Sequence, residues 1–185
     1  MDAQPTAAVE AALDFAREAH AGQHRKQNGH PYIEHPIAVT ELLIAGGFED
    51  DVLVAAYLHD VIEKTATEPE EVEARFGPHV TAIVAALTED DSVGAYAERK
   101  RGLRDKALAD DRAAIVVYSA DRLANMRDWH ALDDAQRTQA ADQLGTTFEE
   151  RMTLWQEDLE ALTELEPEPP LLAEIEIELR ALRES

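Results

Sequence analysis

The 185-residue chain contains no cysteine. That excludes disulfides, a thiol nucleophile and thiolate metal sites, so any metal ligands must be nitrogen or oxygen. Aromatic residues make up only 5% of the chain. Val and Ile rarely alternate with polar residues over more than a few positions, which leaves strands little to build on. No apolar run approaches the roughly 18–20 residues that cross a bilayer, so no membrane partner is expected. Positive charge is scarce as well: 17 Lys and Arg stand against 39 Asp and Glu, a formal net charge of −22. A field of that sign repels a nucleic-acid backbone, which argues against a polymeric nucleic-acid partner. Residues 1–12 show no charged segment followed by an apolar run, so they do not read as a signal peptide. A cytoplasmic protein is the expectation.

Ala, Leu, Glu and Arg dominate instead, and they favour helix. The expected fold class is all-α, with one domain as the default for this length. Ala7 to Ala21 reads as an amphipathic helix. Gly22 to Tyr32, with Gly22, Asn28-Gly29 and Pro31, reads as a loop. Pro36 suits the first turn of a helix that Gly46-Gly47 stops. Asp50 or Asp51 is expected to cap a helix from Val52 to about Lys64. Thr67 is expected to cap a short acidic helix closed by Gly77, and Pro78 to Leu87 starts another. A loop at Glu89 to Ser92 precedes a helix over Val93 to Leu108. Asp110 opens a long helix through Ile115, Leu123 and Met126. Leu132 to Glu166 reads as one or two helices, with Phe148, Met152, Trp155, Leu159 and Leu162 as their apolar stripe. After the break at Pro167, Pro169 and Pro170, a last helix carries Leu172, Ile175, Leu179 and Leu182 on one side. It packs on its own domain or on a second subunit, and a homodimer through Ile175 and Leu179 is one of the two options.

Three segments far apart in the chain offer four ligands for one ion. They are His35 in Tyr32-Ile33-Glu34-His35-Pro36, the pair His59-Asp60, and Asp121 in Ser119-Ala120-Asp121-Arg122. Two imidazoles and two carboxylates suit a borderline-hard divalent ion such as Mn²⁺. His59-Asp60 follows the apolar run Val52-Leu53-Val54-Ala55-Ala56, and an ionisable pair placed there needs a partner. Glu63 lies one turn after His59, where a carboxylate can position or deprotonate a water. Arg99, Lys100, Arg101, Arg104 and Lys106 form a local basic cluster that can receive phosphates. A solvated helix face with intrahelical ion pairs is the plainer reading of the same run.

Gln23-His24-Arg25-Lys26 with His30-Pro31-Tyr32-Ile33-Glu34-His35-Pro36, then Leu58-His59-Asp60-Val61-Ile62-Glu63, then Asp121-Arg122-Leu123-Ala124-Asn125-Met126-Arg127, resembles the HD-domain hydrolases of the RelA/SpoT family. The resemblance covers roughly Ala7 to Trp129, about two thirds of the chain. It implies an HD-domain helical bundle over residues 1–130, with residues 131–185 as an acidic helical extension. It implies that His35, His59, Asp60 and Asp121 bind one Mn²⁺, with Glu63 and Asp60 as the catalytic carboxylates. Arg25, Lys26, Lys64, Arg99, Arg101 and Asn125 would then contact a small guanosine nucleotide, and the reaction would remove the 3′-pyrophosphate of ppGpp or pppGpp. Action on another nucleotide or phosphoester, or nucleotide binding without turnover, are the alternatives. Two positions depart from the family pattern. Lys64 follows Glu63 where an acidic pair is usual, and Tyr118-Ser119 stands where a Lys and an apolar residue are usual.

Overall fold

The computed structural model describes residues 5–90 and 92–185. Residues 1–4 of the N-terminal reading, and position 91 of the loop expected at Glu89 to Ser92, lie outside that range. The described residues fold into helices joined by turns and loops, the longest between Ala19 and Glu34. Their β-type pairing is a single antiparallel bridge between His24 and Pro31, inside the loop expected there. The helices are α1 (Ala7–Ala19), α2 (Glu34–Gly46), α3 (Asp50–Leu58), α4 (Val61–Lys64), α5 (Pro69–Ala86), α6 (Tyr96–Ala109), α7 (Arg112–His130), α8 (Asp134–Leu144), α9 (Phe148–Thr163) and α10 (Leu172–Glu184).

Local chemistry sets most of the boundaries. Gly47 ends α2 in the left-handed region at φ 72, as the Gly46-Gly47 pair predicts. Gly77 (φ 87) breaks α5, and Pro78 opens its second half. Gly145 (φ 71) separates α8 from α9. Other ends moved. Asp111 rather than Asp110 caps α7, accepting from the Ala113 and Ala114 N–H groups. Asp50 and Asp51 sit inside the first turn of α3, where their charge still meets the positive end of the helix dipole. Thr67 does not cap α5, whose N-cap position is Glu68. α6 starts at Tyr96 rather than Val93, and Gly94 falls in the preceding loop.

The largest correction concerns the expected helix from Val52 to Lys64. It is interrupted at His59-Asp60, which form a turn between α3 and α4. His59 Nδ1 lies 2.8 Å from the Ala56 carbonyl. A continuous helix would offer that same carbonyl to the Asp60 N–H, so the ring competes with the ladder.

α7 runs through the centre and packs against α2, α3, α5, α6 and α10. Its buried residues lie all round it, from Ala114 to Ala124 without a gap, as befits a core helix. One apolar cluster extends from Val9 in α1 to Leu182 in α10. Leu172, Ile175, Leu179 and Leu182 of α10 are all buried in the chain itself, against α7 and α9. Ile175 and Leu179 are at most 1% exposed. They are therefore not available for the intersubunit contact offered above as an option. Among the described residues, no helix is long and apolar enough to cross a membrane.

Candidate metal centre and its pocket

Four candidate ligand side chains converge from three places. His35 comes from the first turn of α2, His59 and Asp60 from the turn between α3 and α4, and Asp121 from the middle of α7. His35 Nε2 lies 2.9 Å from Asp121 Oδ1 and 3.9 Å from Asp60 Oδ2. His59 Nε2 lies 3.3 Å from Asp60 Oδ2 and 3.8 Å from Asp121 Oδ1. Ligand atoms of His35, His59 and Asp121 all fall within 4.8 Å of one another. Ligands at roughly 2.0–2.2 Å from a common ion stand about 3–3.5 Å apart, so the spacing suits adjacent ligands of one cation. His59 and Asp60, at the junction of α3 and α4, both face this cluster: Asp60 lies near His35 and His59 near Asp121.

The surroundings orient each ligand. The Ala56 carbonyl accepts from His59 Nδ1, which leaves the Nε2 lone pair facing the cluster. That Nε2 is buried and has no hydrogen-bond partner. An unpartnered buried nitrogen beside two carboxylates fits the role of a metal ligand. Tyr32 Oη donates to Asp60 Oδ2 at 2.7 Å. The Arg122 guanidinium pairs with Asp121 Oδ2, and Asn125 Nδ2 donates to Asp121 Oδ1 at 2.6 Å. All four ligand side chains are buried.

Charge in the cluster is strongly perturbed. Burial and the nearby Arg25 hold His35 below its ordinary value. Burial opposes charge on His59 as well, but Asp60 and Asp121 overcome it and push His59 up to about 9. Burial raises the cost of ionising Asp60 and Asp121, yet both stay well below the usual carboxylate range. The histidines hold down Asp60, while Arg122 and the histidines hold down Asp121. Without an ion, Arg122 and a protonated His59 balance the two buried carboxylates; a bound divalent ion would take the place of the His59 Nε2 proton. The donors present suit such an ion.

The cluster forms the floor of a pocket of about 330 Å³, near the lower end of small-molecule sites. The walls contain six cations (Arg25, Lys26, Lys64, Lys100, Arg122 and Arg151) against five carboxylates (Asp60, Glu63, Glu89, Asp121 and Asp158). In a chain with 22 surplus negative charges, this is a local reversal of sign.

Of the residues expected to contact substrate, Arg25, Lys26, Lys64 and Asn125 line the pocket, and Glu63 joins them. Arg25 is buried, donates to Asn125 Oδ1 at 2.9 Å and forms an ion pair with Asp128 at 3.0 Å. Arg99 and Arg101 are outside the lining. Arg99 turns to Glu89 and to the Val93 and Gly94 carbonyls, and Arg101 grips Glu157 bidentately at 2.7 and 2.8 Å. Both arginines are thus paired within the chain. From the same basic run, Lys100 reaches the pocket instead.

The sequence reading missed Arg151. It is buried and pairs with Tyr96 Oη, its guanidinium lying 4.3 Å from the Trp129 ring centre and 4.8 Å from that of Trp155. No carboxylate lies within ion-pair distance of it among the described residues. Burial lowers its pKa to about 10. A signal existed: Arg151 and Asp158 interrupt the apolar spacing of α9. The face α9 buries is Arg151, Leu154, Trp155, Asp158 and Leu162, rotated from the stripe expected through Met152 and Leu159. Tyr118 is also fully buried, and the Arg122 guanidinium sits 4.7 Å from its ring centre.

An all-helical bundle with a buried His/His/Asp/Asp cluster under a cationic pocket defines a class, the helical metal-site hydrolases. The HD domain model matches residues 12–150, and the chain belongs to that family. A guanosine-3′,5′-bis(diphosphate) 3′-pyrophosphohydrolase, MESH1 of Danio rerio, is 41% identical over 131 residues, which are 69% of this chain and 72% of that protein. A probable guanosine-3′,5′-bis(diphosphate) 3′-pyrophosphohydrolase of Synechocystis is 36% identical over 153 residues, 78% of this chain but 20% of that longer protein. Among solved structures, a metazoan ortholog of SpoT, described as hydrolysing ppGpp, matches with a TM-score of 0.78 at 30% identity and covers 98% of both chains.

Proposed function

We propose that this chain is a cytoplasmic, Mn²⁺-dependent hydrolase that removes the 3′-pyrophosphate of ppGpp or pppGpp. The observation that carries the reading is the reversal of charge at the pocket: six cations surround a buried carboxylate–imidazole cluster in a chain of net charge −22. Such a site draws in a compact, highly anionic ligand and rejects a long polyanion at the surface. The relatives named above are called hydrolases of such a nucleotide.

In this reading His35, His59, Asp60 and Asp121 hold one ion. When bound, it supplies charge neutralisation at phosphoryl oxygens and Lewis acidity toward water. Tyr32, Arg122 and Asn125 keep the ligand carboxylates in place. Glu63 accepts a proton from the attacking water, whose oxygen bonds to phosphorus as the bond to the 3′ oxygen breaks. Lys26, Lys64, Lys100 and Arg151 neutralise the phosphates, and Arg25 with Asn125 shapes the nucleoside end. Residues 1–130 form the hydrolase unit in this reading, and residues 131–185 pack on it and contribute Arg151, Trp155 and Asp158 to the pocket wall.

A second reading, nucleotide binding without turnover, is favoured by one contact: the Lys64 ammonium rests on Glu63. Pyrophosphate release from ppGpp by the purified protein with Mn²⁺, beside an Asp60→Ala control, separates the two. Release by the wild type alone supports hydrolysis. No release from a protein shown to bind Mn²⁺ rejects it.

A further inference from the structure

Glu63 has both carboxylate oxygens engaged. Oε1 pairs with the Lys64 ammonium, and Oε2 accepts the Glu89 N–H at 2.9 Å. The Glu89 N–H fixes the direction of the carboxylate, and the ammonium neutralises its charge. A neutralised carboxylate is a poor acceptor for a water proton.

The hold on Lys64 itself is slight. Glu63 is its one carboxylate partner among the described residues, and its side chain is 39% exposed, against 6% for Glu63. Lys100 on the same wall is less exposed, at 23%, and shares Glu89 with Arg99. The main chain of Lys64 is fixed by Gln23, whose Nε2 donates to the Lys64 carbonyl at 2.8 Å. A flexible four-carbon stem therefore swings a point charge from a fixed root inside the pocket.

We propose that Lys64 is a substrate-operated gate on Glu63: a phosphate group entering the pocket takes over the ammonium, and Glu63 regains the charge it needs to accept a proton from water. The exchange costs little, because the ammonium leaves one anion only to meet another. It also makes Lys64 a discriminator. A ligand with no phosphate within its reach leaves Glu63 neutralised. The catalytic consequence rests on the role proposed for Glu63, but the exchange of partners is a binding event and is read without turnover.

The test is a double-mutant cycle of Glu63→Gln, Lys64→Met and both together. Inorganic pyrophosphate, presented as its Mn²⁺ complex so that no metal is drawn away, is titrated calorimetrically into the Mn²⁺-loaded proteins. Glutamine can still accept the Glu89 N–H, Lys64 is partly exposed, and a melting curve for each variant checks folding. Lys64→Gln replaces Lys64→Met where the latter fails to fold. Glu63→Gln frees the ammonium, so it should tighten pyrophosphate binding about threefold or more in the wild-type background and leave it unchanged in the Lys64 variant. Equal tightening in both backgrounds would mean a general loss of negative charge and overturns the gate. No tightening, or no pyrophosphate binding by any of the proteins, overturns it too. Failure of the hydrolase reading shows separately, as wild-type protein that releases no pyrophosphate from ppGpp.

Discussion

Arg151 shows what a single residue's surroundings can decide. Its guanidinium lies among Tyr96, Trp129 and Trp155 with its charge unmatched by any carboxylate among the described residues. Burying a cation this way is costly unless a ligand compensates. If its partner is a substrate phosphate, Arg151→Met should raise KM for ppGpp about tenfold, roughly 1.4 kcal/mol of binding, while kcat changes less than about twofold. The melting temperature should hold or rise, because an uncompensated buried charge is gone. Steady-state kinetics beside a thermal scan check both, and a fall in kcat with KM unchanged would contradict the assignment. The same scale explains why a candidate ligand set stands out in the sequence and substrate contacts stand out less. His35, His59, Asp60 and Asp121 announce themselves by residue type. Arg99 and Arg101 look as suitable for phosphate as Lys100 until the fold sets Lys100 in the pocket wall and the other two outside it.

At the scale of elements, helix ends carry function. The junction between α3 and α4 carries two of the candidate ligands, His59 and Asp60. Apolar periodicity cannot register that junction, because Leu58 and Val61 are both buried and continue the pattern across it. Another junction ties separate elements through charge. His79 of α5 bridges Asp51 in α3 and Asp111 at the start of α7, at 3.1 and 3.0 Å. Hydrogen bonds to Asp51 and Asp111 raise its pKa above the ordinary 6.5. A folded pKa above the unfolded one stabilises the fold while the imidazolium persists. The contribution is therefore full below about pH 6.5 and lost as pH rises through the folded value. His79→Gln should lower the melting temperature at pH 5.5–6 by a small amount, since the side chain is exposed. The two proteins should melt together by about pH 8.5. A pH series of thermal melts decides it, and a gap that persists or widens at high pH would show that the bridge acts through packing instead.

For the whole molecule, the governing quantity is the net charge of −22. Self-repulsion on that scale opposes compaction and is screened by salt. The melting temperature should rise between low salt and about 0.5 M NaCl, where the Debye length falls to roughly 4 Å. Differential scanning fluorimetry across that range tests it, and a fall would mean that ion pairs such as Arg101–Glu157 outweigh the global repulsion. The sequence by itself determined the class of fold and the kind of chemistry. Helix formers, glycine stops and the absence of cysteine act through composition or over a few residues, and so they are visible without a fold. Only the tertiary structure decided that α10 closes the chain's own core, that Arg101 turns to Glu157 and that Arg151 enters the pocket. Those outcomes depend on which distant segments share a surface, and on how an excess of acids distributes its few cations. Neither is set by the residues adjacent in the chain.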